Sequence, residues 1–234
     1  MKTIGILGGM SAASTQIYYS ELCRLTRERL GGLHSPELLI RSLDFAPMED
    51  LQAAGDWEEA GRVLSREAQA LARGGADGIL LATNTMHKVA EAMMTGVDLP
   101  LLHIADATAH AIAKAKLQRP GLMATAFTME QPFYTDRLRA HGLEPIVPET
   151  ADRAETHRII YEELCREIVT AESKAAYVNI ARRLVDTRAD SLILGCTEVG
   201  MLLNAENVPV PVFDTVQIHC TAAIEWALGK STKF

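Results

Sequence analysis

Aromatic residues are scarce in this sequence, basic residues never cluster, cysteines never pair closely and no apolar run is long. Phe, Trp and Tyr make up 5% of the 234 residues, and the 23 Lys and Arg are outnumbered by 30 Asp and Glu, for a net charge of −7. With a sequence pI near 5.5 and no dense basic stretch, a nucleic-acid or anionic-membrane partner is disfavoured. The longest apolar runs, around Gly78 to Ala82 and Ser191 to Gly195, are strand-sized, far short of the roughly 20 residues that cross a bilayer. The four cysteines (Cys23, Cys165, Cys196 and Cys220) stand far apart without C-x-x-C spacing, which fits free thiols in a reducing cytoplasm better than disulfides or zinc. The seven histidines show no H-x-x-x-H spacing, so a metal site has little support. The turn Gly5-x-x-Gly8-Gly9 lacks the G-x-G-x-x-G order of a dinucleotide loop, and no Walker lysine follows, so it reads as a tight turn allowing close backbone approach.

What is present is ordinary globular composition, 48% hydrophobic and 23% charged, arranged as short apolar runs alternating with helix-length periodic stretches. The opening Met1-Lys2-Thr3-Ile4-Gly5-Ile6-Leu7 reads as a first strand rather than a signal peptide, because no long apolar stretch or cleavage site follows. Strands are predicted at Thr3 to Leu7, Leu38 to Leu43, Gly78 to Ala82 and Leu101 to Ile104. Helices are predicted at Ala13 to Leu30, Trp57 to Arg73 and Ala105 to Ala115, after which the pattern restarts at Gly121. This is the signature of an α/β fold with largely parallel sheets.

The restart points to an internal repeat. Gly5 to Gly9 aligns with Gly121 to Thr125 at an offset of 116, which also sets Tyr18 on Tyr134. Ala76 to Thr85 aligns with Ala189 to Glu198 at an offset of 113, and Pro100 to Ile104 aligns more weakly with Pro209 to Phe213 at 109. The expectation is two pseudosymmetric α/β domains, residues 1–98 with 214–234 and residues 99–213, around an interdomain cleft. The 217–228 segment reads as a closing helix.

In open parallel sheets, ligands bind beyond the carboxyl ends of the strands. Four segments end in small and polar residues there: Gly8-Gly9-Met10-Ser11, Thr83-Asn84-Thr85, Thr125-Ala126-Phe127-Thr128 and Cys196-Thr197-Glu198. The repeat makes Thr83 and Cys196 mates on opposite walls of the cleft. Cys196 directly follows an apolar run and precedes Thr197-Glu198, a strand-tip context that lowers a thiol's pKa and makes it a usable base or nucleophile. A buried packing role is the common alternative for a single cysteine, and it is the reading for Cys23, Cys165 and Cys220. His87, just past the Thr83 tip, either touches the cleft or caps a helix. Gln52, in the loop after Asp44-Phe45-Ala46-Pro47, is either a substrate contact or a solvent-facing helix residue.

At these residues the sequence resembles the aspartate/glutamate racemases, the cofactor-independent amino-acid racemases. The likeness runs over nearly the whole chain and is carried by Gly5 to Ser11, Asn84-Thr85-x-His87, Phe127-Thr128-Met129-Glu130-Gln131 and Gly195-Cys196-Thr197-Glu198. The resemblance implies two pseudosymmetric domains, an amino-acid substrate held between them, no cofactor, no metal and a homodimer. It implies substrate contacts from Met10, Gln52, Asn84, Thr85, Thr125, Thr128, Thr197 and Glu198, and proton transfer at the α-carbon by a residue on each face. In the family those residues are two cysteines. Here Cys196 matches the second, but Thr83 stands at the first, resembling members with Thr in place of that Cys. The reading is racemisation of L-aspartate or L-glutamate by Cys196 and Thr83. The competing readings are a decarboxylase or cis-trans isomerase of small dicarboxylates, and an amino-acid-binding protein with weak turnover.

Overall fold

The computed structural model describes residues 1–196, 199–200 and 202–230. They divide into two compact units, Met1–Ile104 with the segment from His219 onward, and Ala105–Ile218. The division falls inside two helices rather than at 98/99 and 213/214. The reason is strand pairing: the short strand at Leu101–Leu102 is hydrogen-bonded into the first sheet and so stays with it.

The first unit holds a parallel sheet of four strands, β1 (Ile4–Gly8), β2 (Leu38–Ser42), β3 (Gly78–Leu81) and β4 (Leu101–Leu102), in the order β2-β1-β3-β4. Every residue of β1 and β3 is buried while β2 is half-buried to exposed. That is the burial of a parallel sheet whose central strands are covered on both faces and whose edge is not. Helices α1 (Ala12–Leu30), α2 (Phe45–Ala54), α3 (Trp57–Arg73) and α4 (Ala90–Met93) connect these strands. The chain of α3 shows why it packs as it does: Ala60, Gly61, Leu64, Ser65, Ala68 and Leu71 form one buried stripe. Asp56 caps its start by accepting from the Glu59 amide at 3.0 Å. Predicted and observed bounds of α3 coincide, whereas β4 is two residues long where four were expected.

The second unit follows α5 (Ile104–Lys114) with β5 (Pro120–Met123), α6 (Ala126–Glu130), α7 (Pro132–Ala140), α8 (Thr150–Glu162), α9 (Ala171–Asp186), β6 (Ser191–Leu194), β7 (Val212–Asp214) and α10 (Thr215–Ala227), which runs on into the first unit. Its sheet order is β5-β6-β7, all parallel, and Gly121 makes an isolated parallel bridge to Ile146 on the other side of β5. Counting that bridge in the place of β2, the order is that of the first sheet.

The registers give the repeat a physical basis. Ile4 faces Gly78 in the first sheet and Pro120 faces Ser191 in the second, which are the sequence offsets of 116 and 113. The third offset needs correction. Ile79 faces Leu101 and Leu192 faces Val212, so β4 and β7 correspond at 111, two residues from the sequence alignment. A slip of two leaves every side chain on the same face, which is why the misalignment is invisible to hydrophobic pattern.

A buried carboxylate pins the second unit. Asp106, 3% exposed on α5, receives Arg137 Nε and Nη2 at 2.6 Å each and His141 Nε2 at 2.9 Å. Burial by itself pushes this carboxyl up, but the donors from Arg137 and His141 outweigh it and hold its pKa below the usual range.

In the first unit β3 and α10 approach closely at Gly78, where an added Cβ would lie 2.6 Å from Cη2 of Trp226. Gly78→Ala is therefore expected to destabilise the protein by about 1–3 kcal/mol through overpacking, read as a lowered urea midpoint. An unchanged midpoint would show that the Trp226 ring moves aside freely.

Candidate functional site

The glycines of the first turn are consumed by its own backbone. Gly9, at φ +89°, lies so close to Leu43 that a Cβ would fall 2.2 Å from that residue's amide nitrogen, and a Cβ on Gly8 would fall 2.5 Å from Thr15 Oγ1. The same Thr15 hydroxyl accepts from the Gly9 amide at 2.7 Å and donates to the Ser11 carbonyl at 3.0 Å. Ser11 caps α1 through the Ser14 amide at 3.1 Å. Met10, expected as a substrate contact, is 6% exposed and packs into the first unit's core with Leu7, Met48 and Met86.

The chain leaves β3 at Leu81, and the Ala82 amide makes the final ladder bond, to the Leu7 carbonyl at 2.9 Å. Thr83, Asn84 and Thr85 follow, all buried. Thr83 is the second residue past the strand. His87, also buried, directs Nδ1 to the Thr83 carbonyl at 2.7 Å, and its Nε2 lies 3.4 Å from the Ile104 amide. Its burial excludes a surface position for His87.

His87 belongs to a group that sequence reasoning missed. Its ring centroid lies 4.4 Å from that of His103 and 6.2 Å from that of His219. His219, fully buried, directs Nε2 to the Leu102 carbonyl at 2.7 Å and Nδ1 to the Tyr18 hydroxyl at 2.9 Å. A carbonyl only accepts, so Nε2 carries the proton and Nδ1 accepts from Tyr18. Burial lowers the His219 pKa from 6.5 to about 4, with the Leu102 carbonyl opposing it. The available signal was local: His103 sits between Leu102 and Ile104, and His219 between Ile218 and Cys220, apolar neighbours that surface histidines seldom keep.

Gln52 lies not in a loop but on α2, where it is 3% exposed and its Nε2 approaches Met86 Sδ at 2.9 Å. Arg41 is exposed and bound to Glu67 at 2.6 Å, and Arg166 is exposed as well.

In the second unit, Thr125, the second residue past β5, caps α6, its hydroxyl 3.3 Å from the Thr128 amide and 3.1 Å from the Thr128 hydroxyl. Beside it, His157 Nδ1 accepts from the Ala126 amide at 3.3 Å, and its ring stands edge-on to Phe127 and against Tyr161. Past β6, the Gly195 amide bonds the Met123 carbonyl at 2.8 Å, and a Cβ there would lie 2.8 Å from Ala124 Cβ. Cys196 is the second residue beyond β6, half-buried and free of disulfide, against the second unit's core. Cys23 and Cys220 are buried, consistent with packing. Thr197 and Glu198 lie outside the described residues.

Among the described residues, no three His, Cys, Asp or Glu converge as metal ligands do, and no helix is long and apolar enough to cross a membrane. The chemistry at the two tips is that of a thiol, hydroxyls, an amide and backbone groups.

Fold and tips together describe an α/β protein of two like units with parallel sheets. Residues 7–223 match the model of the Asp/Glu/Hydantoin racemase family, and the chain belongs to that family. A crystal structure from Yersinia pestis, provisionally described as an Asp/Glu racemase, is 46% identical, with 97% of this chain and 100% of that one covered and a TM-score of 0.91. PH1733 from Pyrococcus horikoshii OT3, described as an aspartate racemase homologue, is 36% identical over 97% of this chain and 100% of its own, at a TM-score of 0.84. RacX of Bacillus subtilis strain 168, named a broad specificity amino-acid racemase, is 22% identical over 222 residues, 91% of this chain and 92% of its own.

The pKa of His219 carries a stability consequence. The unfolded chain takes up a proton near pH 6.5 that the native state refuses until about pH 4, so stability is full above that window and falls as pH drops through it. The expected loss is about 2 kcal/mol between about pH 7 and pH 5, measured by urea unfolding as the excess over a His219→Gln variant. Identical pH slopes for the two proteins would show that His219 titrates normally.

Proposed function

We propose that the protein racemises a small acidic amino acid, preferring L-aspartate or L-glutamate, with no cofactor, by proton transfer at the α-carbon between Cys196 and Thr83. One observation carries this reading: the ladder registers make Thr83 and Cys196 equivalent, each the second residue past a central parallel strand of its unit. Membership in the racemase family and the names of the relatives at the same coverage support the substrate class.

Inverting a stereocentre through a planar carbanion needs an acid or base on each face. A thiol near its ordinary pKa of about 8.5 supplies a usable thiolate at neutral pH, whereas an aliphatic hydroxyl is far too weak an acid to rest as an alkoxide. Cys196 as thiolate takes the α-proton, and the electron pair it leaves spreads onto the substrate carboxylate. Thr83 then gives its hydroxyl proton to the opposite face, and the alkoxide left behind regains a proton from solvent. Asn84, Thr85, Thr197 and the tip amides are donors for the enediolate-like charge. Because only Cys196 rests as a base, abstraction is efficient from one enantiomer, and the family's handedness favours the L form.

Incubation in D₂O with each enantiomer of aspartate and glutamate tests this. Inverted product should carry α-deuterium, with turnover faster from the L side. Thr83→Ala should cut inversion by about 10²–10⁴-fold, the usual worth of a positioned acid, while Cys196 still exchanges deuterium with retention. Thr83→Cys should make the two directions more equal, and Cys196→Ala should abolish exchange. Substantial turnover in Cys196→Ala would sink the mechanism. Release of CO₂ or alkene isomerisation would replace racemisation with the corresponding chemistry, and ligand binding without exchange would make the protein a binder.

A further inference from the structure

We propose that His87 is a positioning residue for Thr83: its Nδ1–H holds the Thr83 carbonyl and thereby sets where the Thr83 hydroxyl is presented beyond β3. The inference rests on the racemase reading for its functional meaning, and on geometry within the first unit for its substance.

The sheet does not position Thr83. Ladder bonding along β3 finishes with the Ala82 amide on the Leu7 carbonyl, and the Thr83 amide turns back to the Leu81 carbonyl at 2.9 Å. What meets the Thr83 carbonyl is His87 Nδ1 at 2.7 Å, while the His87 amide donates to the Asn84 carbonyl at 3.2 Å. The three residues of the tip are thus closed into one short turn by a single side chain.

Partner chemistry fixes the tautomer. The Thr83 carbonyl can only accept, so Nδ1 carries the hydrogen; the Ile104 amide can only donate, so Nε2 at 3.4 Å offers its lone pair. His87 is therefore a neutral ring that joins the end of β3 to the start of α5. The next layer is built alike: His103 lies against the His87 ring, and His219 links the Leu102 carbonyl to the Tyr18 hydroxyl. A ring held on both nitrogens and packed against a second ring is how a supporting shell holds a reacting group in place.

Two substitutions separate positioning from bulk packing. In His87→Asn the side-chain amide nitrogen stands where Nδ1 stood and can still donate to the Thr83 carbonyl. In His87→Gln the amide reaches the Nε2 position and meets Ile104, leaving the Thr83 carbonyl without its donor. The ratio of inversion to α-deuterium exchange with retention should stay within about threefold of wild type in His87→Asn and fall by about tenfold or more in His87→Gln, as misplacement of a proton donor predicts. Proportional losses of inversion and exchange in both variants would mean a structural role only, and unchanged ratios in both would overturn the proposal.

A second measurement does not depend on turnover. Long-range ¹H–¹⁵N spectra of histidine-labelled protein should show His87 neutral with its proton on Nδ1. A proton on Nε2 overturns the proposal even if the protein racemises, whereas the expected tautomer with no exchange by wild type would leave the clamp standing and remove the racemase reading instead.

Discussion

Where β3 stops, the Ala82 amide takes the last ladder carbonyl and the Thr83 carbonyl turns to a histidine ring; where β6 stops, Gly195 takes the Met123 carbonyl and the Leu194 carbonyl turns to the Thr215 hydroxyl at 2.8 Å. A buried backbone group left unmatched costs about 1–3 kcal/mol, so each unit must supply a substitute donor where its central strand ends. The two units meet the same demand with different side chains. A histidine bonds the carbonyl of Thr83 itself in the first, and a threonine bonds the carbonyl two residues before Cys196 in the second. The steric constraints differ as well: a Cβ on Gly195 would lie 2.8 Å from Ala124 Cβ across the strands, whereas a Cβ on Gly8, the equivalent of Ala124, would meet Thr15 Oγ1 of α1 at 2.5 Å. Duplication of a unit does not need duplication of its residues.

Much of this was legible in the sequence because parallel strands buried on both faces leave near-continuous apolar runs. Such runs fixed the offsets of 116 and 113 that the ladder registers reproduce, and with them the equivalence of Thr83 and Cys196. The weaker offset failed where the strands are too short to anchor an alignment, since β4 has two residues and β7 three. Helix α2 was hidden by Pro47, read as a loop residue. It occupies the first turn after the Asp44 cap, where a missing amide hydrogen is tolerated, and so Gln52 was misplaced with it. The histidine cluster was out of reach for a different reason. His87, His103 and His219 are 16 and 116 positions apart, and only the pairing of β4 with β3 and the return of α10 bring their rings together. Spacing rules find ligands on one helix or one turn; they do not find side chains assembled by topology.

The break in symmetry then has a chemical meaning that the fold alone lacks. Two thiols in equivalent places would each exist as acid and as base, and neither direction of proton transfer would be privileged. A hydroxyl in one place keeps the donor function and gives up the resting base, so the two directions differ in which group must start. A donor of that kind, unlike a thiolate, gains little from its own acidity and depends on where its hydrogen points. A carbonyl bond to a neutral, buried ring holds the Thr83 backbone, from which the hydroxyl would act in the proposed reaction. The surroundings of the two tips follow the same division. On the hydroxyl side, burial and hydrogen bonding converge on rigidity, with His219 kept uncharged beneath the tip. On the thiol side, Cys196 is half-buried at the edge of an aliphatic core. In the proposed reaction, rigidity around the donor and access around the base are opposite demands, and a protein made of two like units can meet both by letting the units diverge at their strand ends while their sheets stay the same.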